Sequence, residues 1–507
     1  MLSRVYPTQG RVEVRTVWVL GDQLNRKIGA MAAADPGTTR ILLVESSAML
    51  EGRSFHRQRL HLVIAAMRRF AGELEAAGFG VDLRRAASLS SGLAAHRAEF
   101  GTGEVIVTEP NSPRVESLVA GLGVRVVRSD QFLCHRDEFA AWADGRSRLR
   151  LEDFYRWQRR RLGYLMDGNE PVGGRWNYDH DNRQPPPADG GDWPTPIRSR
   201  LDDLDRAVIA ELPPDAPGVD PVGWWATSRR SARARLRHFV EDVLPGFGPH
   251  EDAMVAGNWH LAHSLLSPYL NLGLLLPDEV CDLVEEAYRA GRVPLNSAEG
   301  MIRQVIGWRE FVWGISWLWP DQADANVFGH ERDVPPAWTF DAPSTLRCLS
   351  VALDGLEERA WVHHIQRLMV LSNFANLYGI EPTRVRDWMR AWYVDGADWV
   401  MGPNVMGMGL WADGGRMATK PYVSGGAYIN RMSDYCGDCR YQPGKRTGPE
   451  ACPFTTLYWD FLDRHRDLLQ PNARMARQYH TLDRLTDLDQ VRSRAAEVIS
   501  AIAEGRM

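Results

Sequence analysis

Cysteine is scarce in this chain of 507 residues. The six present are too few and too scattered for a dense disulfide framework. Long apolar runs are missing as well: no stretch approaches the ~18 residues of a membrane span. No positively charged start leads into an apolar core of the kind secretory signals carry. The expected setting is therefore a reducing cytoplasm with no membrane partner, which suits thiolate metal ligands better than disulfides. Neither sign of charge dominates either. With 60 basic and 65 acidic residues the formal net charge is −5. That excludes a bulk electrostatic coat for DNA but leaves room for a local groove, because phosphate contacts depend on how charge is distributed. What is present in quantity is tryptophan, nineteen residues, for packing, stacking faces and redox-active rings.

The length calls for two or more units. After a short tail before Arg15, the segments Val12 to Leu20, Ile41 to Glu45, Gly80 to Arg84, Glu104 to Thr108 and Val124 to Arg128 read as short strands. Between the second and third, Phe55 to Ala77 keeps helical spacing through Phe55, Val63, Met67, Phe70 and Leu74. Strands alternating with helices predict a parallel sheet covered on both faces. Ligands bind such sheets beyond the carboxyl ends of the strands, where Asp22 and Glu45 stand; ordinary loop polars would occupy the same places. From about Ser228 strand signals vanish and helical patterns dominate. The fold class is thus α/β plus all-α: an α/β unit over 12–135, a connector over 136–225 broken by Gly173-Gly174, Pro185-Pro186-Pro187 and Gly190-Gly191, and a large all-helical unit over 226–507. In the connector, Arg146 to Arg161 reads as a charged helix, and its run Arg159-Arg160-Arg161 as a solvated face before a phosphate contact.

The cysteines carry the sharpest chemistry. Cys436-Gly437-Asp438-Cys439 and Cys452-Pro453 form a Cys-x2-Cys pair and a Cys-Pro, an arrangement suited to an iron–sulfur cluster. A zinc knuckle uses the same pair, so spacing favours the cluster without closing the choice. Cys134 and Cys281 have no nearby partner and read as buried thiols; Cys348 stands alone in sequence.

Three helical segments point to a cofactor pocket. His263-Ser264-Leu265-Leu266-Ser267-Pro268 offers hydroxyls and an imidazole where a helix or turn begins, and free N–H groups there can hold a pyrophosphate. In Ile302 to Trp313, Gln304, Trp308 and Phe311 fall at i, i+4, i+7 on one face, with Arg309 on another; a structural pair between Arg309 and Glu310 would look the same. Leu356 to Tyr378 reads as one helix stopped by Gly379, with His364, Arg367 and Leu371 sharing a face and His363 rotated away. Such histidines are core residues or proton donors, since imidazole exchanges a proton at working pH.

Taken together these residues resemble the bacterial iron–sulfur (6-4) photolyases and their cryptochrome-like relatives, a branch of the photolyase/cryptochrome family. The resemblance covers nearly the whole chain. It is carried by Gly21-Asp22-Gln23-Leu24, Leu165-Met166-Asp167-Gly168, Gly173-Gly174-Arg175-Trp176-Asn177 and Glu251-Asp252-Ala253-Met254. Ser267-Pro268-Tyr269-Leu270, Gly307-Trp308-Arg309-Glu310-Phe311, His363-His364-Ile365-Gln366-Arg367 and the cysteines complete it. It implies FAD in the helical unit, a [4Fe-4S] cluster on Cys348, Cys436, Cys439 and Cys452, and a 6,7-dimethyl-8-ribityllumazine antenna in the α/β unit, near Asp22 and Glu45. It pairs Arg367 with Asp395 beside the flavin and places Asn373, Asn376 and Gly396 in the pocket. It gives His364 a proton-transfer role, with His363, Tyr422 and Tyr428 near the lesion. The chain departs from the wider family in three places. Val305 holds the usual Glu or Gln position with Gln304 one step earlier. The usual Asp-Gly-Asp reads Asp395-Gly396-Ala397. Asn404 ends a Met401-Gly402-Pro403-Asn404 run that replaces Asn-Asn-Gly-Gly. Trp338 and Trp388 are the candidates for an electron chain.

The implied function is light-driven repair of (6-4) pyrimidine–pyrimidone photoproducts by a monomer acting on UV-damaged DNA. The alternative is a cryptochrome-type blue-light receptor with the same cofactors. A non-photochemical iron–sulfur DNA-binding module is opposed by the flavin motifs.

Overall fold

A computed structural model describes residues 14–50 and 54–507; the expected strand start at Val12 and most of the tail before Arg15 lie outside them. Five parallel strands, β1 (Arg15–Val19), β2 (Thr39–Ser46), β3 (Gly80–Ala86), β4 (Val105–Thr108) and β5 (Arg125–Val127), form one sheet in the order β3-β2-β1-β4-β5. The central strands β1, β2 and β4 are apolar on both sides, so the pleat feeds two cores. Val17, Val19, Ile41, Leu43 and Ile106 pack with Leu62, Ala66 and Phe70 of the helix Arg57–Ala76. Trp18, Leu42, Val44, Val105 and Val107 pack with Leu93 of the helix Leu89–Phe100. The order reverses between β1 and β4, which opens a crevice at their carboxyl ends. Asp22 follows β1 and Asn111 follows β4 at that crevice.

The connector carries the helix Leu151–Leu162 and a two-stranded hairpin, Met166–Asp167 with Glu170–Pro171. Beyond it the chain is helical, and the expected α/β plus all-helical architecture is what the structure has. Among the described residues no helix is long and apolar enough to cross a membrane.

Two expectations for the helical part are corrected. The helix expected over Leu356 to Tyr378 is interrupted: one helix ends at Arg359, and Ala360 adopts a left-handed φ of 55°. The carbonyls freed there have tertiary partners, since Trp225 Nε1 donates to Arg359 O and Val394 N to Ala360 O. The stop at Gly379, φ 91°, is as expected. The shared face of Gln304, Trp308 and Phe311 is also lost, because Arg303–Arg309 winds as a wider π-turn. Trp308 packs beside Trp313 and Trp399, Phe311 against Phe139 and Phe154, and Gln304 turns to Glu251.

Candidate active site

Rare π-turns cluster at functional sites, and three of those here carry expected pocket residues: Arg303–Arg309, Gln366–Ser372 and Gly402–Gly409. On the second, Arg367 Nη1 donates to Asp395 Oδ1 at 2.9 Å, and its Nε donates to Val362 O. Ser267 Oγ donates to the other Asp395 oxygen at 2.6 Å. Asn271 Nδ2 donates to Asp395 O, while its own carbonyl oxygen accepts from Arg309 Nη1 at 2.8 Å. Arg309 lies between the Phe132 and Trp399 rings, and burial pulls its pKa down to about 10, still cationic at neutral pH. Glu310 faces the other way, accepting from the Cys134 amide. The four expected residues Ser267, Arg309, Arg367 and Asp395 therefore share one charge-assisted network.

Beside it stand three imidazoles. His263 and His363 stack with centroids 4.4 Å apart, and His364 lies 5.5 Å from His263. His263 sits between Leu261 and Leu265, both non-glycine residues at positive φ (45° and 55°), a strain that persists only where surroundings impose it. Its two nitrogens face His260 O and Glu251 O, and one neutral ring can donate to only one of them. Loss of solvent, reinforced by His364, pulls the His263 pKa down to about 3. Burial likewise holds His363 well below the ordinary value. The half-exposed His364 places Nε2 3.3 Å from Asp252 Oδ1. Burial raises the Tyr422 and Tyr428 hydroxyls above the usual tyrosine range, and both feel the charge of Asp252. The structure thus gathers His364, Tyr422 and Tyr428 around Asp252, with the His363 ring 6.1 Å from that of His364.

Other expected pocket residues are tied into the fold. The Asn373 amide grips the backbone of Ser424, and Asn376 Nδ2 donates to Gly409 O. Asn404 Nδ2 bonds back to Val400 O, and Ser264 Oγ accepts from Leu266 N. A Cβ on Gly396 would stand 2.6 Å from Arg390 O, so backbone crowding alone requires glycine there. A shallow pocket opens beside His263 and Ser264, lined also by Arg235, His238 and the connector residues Pro194 and Pro196. The guanidinium of Arg235 on its wall is the kind of charge that suits a phosphate group. Sequence reasoning missed Arg235 and His238, although the basic helix Arg229–His238 was there to be noticed. It also missed Asn271, which directly follows the Ser-Pro-Tyr-Leu run, and left Asp252 without a role.

The cysteines converge. Cys348 opens the helix Arg347–Arg359, Cys452 caps the helix Pro453–Arg464, and Cys436 and Cys439 sit in the turn between. All four line one cleft with Tyr435, Tyr441 and Phe454, and no cysteine is in a disulfide. Gly426 admits them, since a Cβ there would stand 2.8 Å from Cys452 Sγ. Among the described residues no three of these sulfurs lie within 4.8 Å of one another. Four thiols on one cleft are a donor set that a single zinc and an iron–sulfur cluster both use.

At the sheet's crevice, burial raises the Asp22 pKa to about 6. Asp22 Oδ2 accepts from Asn111 Nδ2 at 3.1 Å, and Gln131 Nε2 donates to Asp22 O. Glu45 is committed elsewhere: Arg68 grips both its oxygens, and Arg85 Nε lies 3.3 Å away. The Trp338 and Trp388 rings pack tilted at 36° with centroids 4.3 Å apart, and Trp392 lies 6.0 Å beyond Trp388.

Residues 17–218 match the family model described as deoxyribodipyrimidine photo-lyase-related protein. The chain is 42% identical over 487 residues to a (6-4) photolyase of Agrobacterium fabrum strain C58, covering 93% of this chain and 96% of that one. An uncharacterized protein of Acanthamoeba polyphaga mimivirus is 36% identical over 99 residues, 20% of this chain and 73% of its own. The fold is similar to that of a bacterial class III photolyase from Agrobacterium tumefaciens, with a TM-score of 0.60 at 16% identity over 98% of this chain and 99% of that chain. It is also similar to a Synechocystis cryptochrome, at 0.54 and 15% over 78% and 82%. The chain belongs to the photolyase/cryptochrome family, on the side of the bacterial (6-4) photolyases.

Proposed function

We propose that this protein repairs (6-4) pyrimidine–pyrimidone photoproducts in DNA under light. The observation that carries the reading is the placement of His363 and His364 beside the network of Arg367, Asp395 and Ser267. Family membership brings FAD, an antenna chromophore and a DNA substrate. When bound and reduced, FAD supplies the electron to the lesion on illumination.

The protein's own residues do the rest. Arg367 and Asp395 fix a charged pair at the pocket wall, and Arg235 offers positive charge to a diphosphate. A damaged step is already unstacked, which makes flipping it into the pocket cheaper. His364, held by Asp252, gives its proton to the lesion, while Tyr422 and Tyr428 flank the entering base. We assign a [4Fe-4S] cluster to Cys348, Cys436, Cys439 and Cys452, and a ribityllumazine to the crevice at Asp22, with Glu45 as a neighbour engaged by arginines. The units 12–135, 136–225 and 226–507 then serve as antenna domain, connector and catalytic domain.

Illumination of the purified flavin-loaded protein with DNA carrying (6-4) or cyclobutane lesions tests this. Loss of (6-4) lesions only in the light is expected. Unchanged lesions in protein whose flavin responds to light would leave the cryptochrome-type receptor instead.

A further inference from the structure

Proton transfer by His364 does not explain why a third imidazole stands with His363 and His364. One ligand nitrogen from each of His263, His363 and His364 lies within 4.8 Å of the others. Two of the rings have an outer anchor. His364 Nε2 is 3.3 Å from Asp252 Oδ1, which leaves its Nδ1 free to ligate. His263 has a carbonyl at each nitrogen, His260 O 3.0 Å from Nδ1 and Glu251 O 3.2 Å from Nε2, so one anchors the ring and the other contact gives way when an ion binds. The third, His363, is 2% exposed, yet its Nδ1 has no hydrogen-bond partner among the described residues. Imidazoles held on one nitrogen by a carboxylate or carbonyl, with the other turned inward, are how proteins orient metal-binding histidines.

We propose that His263, His363 and His364 form a binding site for one divalent transition-metal ion of the zinc or nickel type. Three nitrogens and no carboxylate in the inner set select these ions over magnesium and calcium, which require oxygen ligands. The fourth position falls to water, as in three-histidine zinc sites. Nitrogens at ~2.0–2.1 Å from one ion stand ~3.4 Å apart, so the set must contract. His263 and His363 are held by their stack, whereas His364, at 48% exposure, is free to swing inward and leaves an entry path. A stack only 23° from parallel departs from tetrahedral directions, so the ion is held reversibly and not as a structural element. While bound it occupies the lone pair of His364 and the mouth of the pocket.

The test uses the protein with its flavin and cluster in place, given one equivalent of Zn²⁺ and examined at the zinc absorption edge. A first shell of nitrogen and oxygen at ~2.0–2.1 Å with imidazole scattering is expected; a sulfur shell at ~2.3 Å would place zinc on the cysteines and overturn the site. Titration should show zinc binding weakened by more than ~100-fold in His364→Ala and in His263→Phe, which keeps a ring in the stack. Asp252→Asn should cost about 10–100-fold. Unchanged zinc affinity in folded His364→Ala protein rejects the proposal. The edge measurement needs no variant, so a variant that fails to fold leaves the question answerable. A further consequence, loss of light-driven repair as zinc binds and its return with chelator, rests on the repair function proposed above. Metal-free protein that fails to repair would sink that function and leave the site standing; repair that proceeds in protein that takes no zinc would do the reverse.

Discussion

Gln366 joins the cysteine loop to the histidines: its Nε2 donates to the Tyr435 hydroxyl at 3.0 Å, and its Oε1 accepts from the His363 amide at 3.3 Å. Tyr435 precedes Cys436 and Gln366 precedes Arg367. One buried amide therefore holds the four-cysteine cleft and the His363–Arg367 segment in register.

That link ties the four-cysteine cleft into the fold. Iron analysis of anaerobically purified protein should give about four irons per chain, and stoichiometric zinc in their place would reverse the assignment. Cys436→Ser should lower soluble yield and flavin retention together, because a bound metal contributes directly to folding. Tyr435→Phe should keep the iron but strand the Gln366 amide, costing about 1–3 kcal/mol, visible as a lower Tm with an unchanged cluster spectrum.

Glu310 sets a pH dependence of stability. Burial raises its pKa from 4.5 to about 7, with Arg309 pulling the other way, and its Oε1 lacks a partner among the described residues. The folded state thus favours the protonated acid. Its contribution is complete below pH ~4.5, falls as pH rises to ~7, and is lost above that, a change on the order of 3 kcal/mol. Glu310→Gln should flatten denaturant-unfolding stability across this window; an unaltered slope would show that the carboxyl is not the source.

Much of this was legible in the sequence because the local signals were strong. Val17, Trp18 and Val19 are apolar without a break, as a strand buried on both faces must be. Cys-x2-Cys and Cys-Pro announce themselves by spacing. What escaped depends on partners distant in the chain. Ala360 is an excellent helix former, and its left-handed turn is imposed by Trp225 and Val394 taking the carbonyls around it. Glu45 looked free because Arg68 and Arg85 reach it only across the sheet. Asn373 and Asn376 sit on the expected helix, yet their amides serve Ser424 and Gly409.

The antenna crevice follows from strand order. The sheet reverses at β1 and β4, and Asp22 hydrogen-bonds there with Asn111. Asp22→Ala should lower antenna occupancy, read from the absorption of released chromophore, while FAD content stays unchanged. Glu45→Gln should act instead on stability, through Arg68. Loss of both chromophores together in Asp22→Ala, or of neither, would show that the sites are not separate as drawn.

His364 separates chemistry from architecture. It stands half-exposed against Asp252, whereas His363 is buried within the pocket wall. If His364 supplies the proton, His364→Ala should retain FAD, iron and affinity for damaged DNA while losing repair per absorbed photon. General acid–base groups contribute about 10²–10⁴-fold, far outside assay error. A structural role has a different signature, because the rings of His263, His363 and His364 touch: flavin retention and Tm would fall, with near-normal repair in the surviving holoprotein. Asp252→Asn adds a second handle. It keeps an acceptor near His364 Nε2 but removes the carboxylate that orients the ring, so repair per absorbed photon should fall without loss of FAD. Near-normal repair by stable His364→Ala protein would remove this residue from the mechanism and pass the proton to His363 or Tyr422.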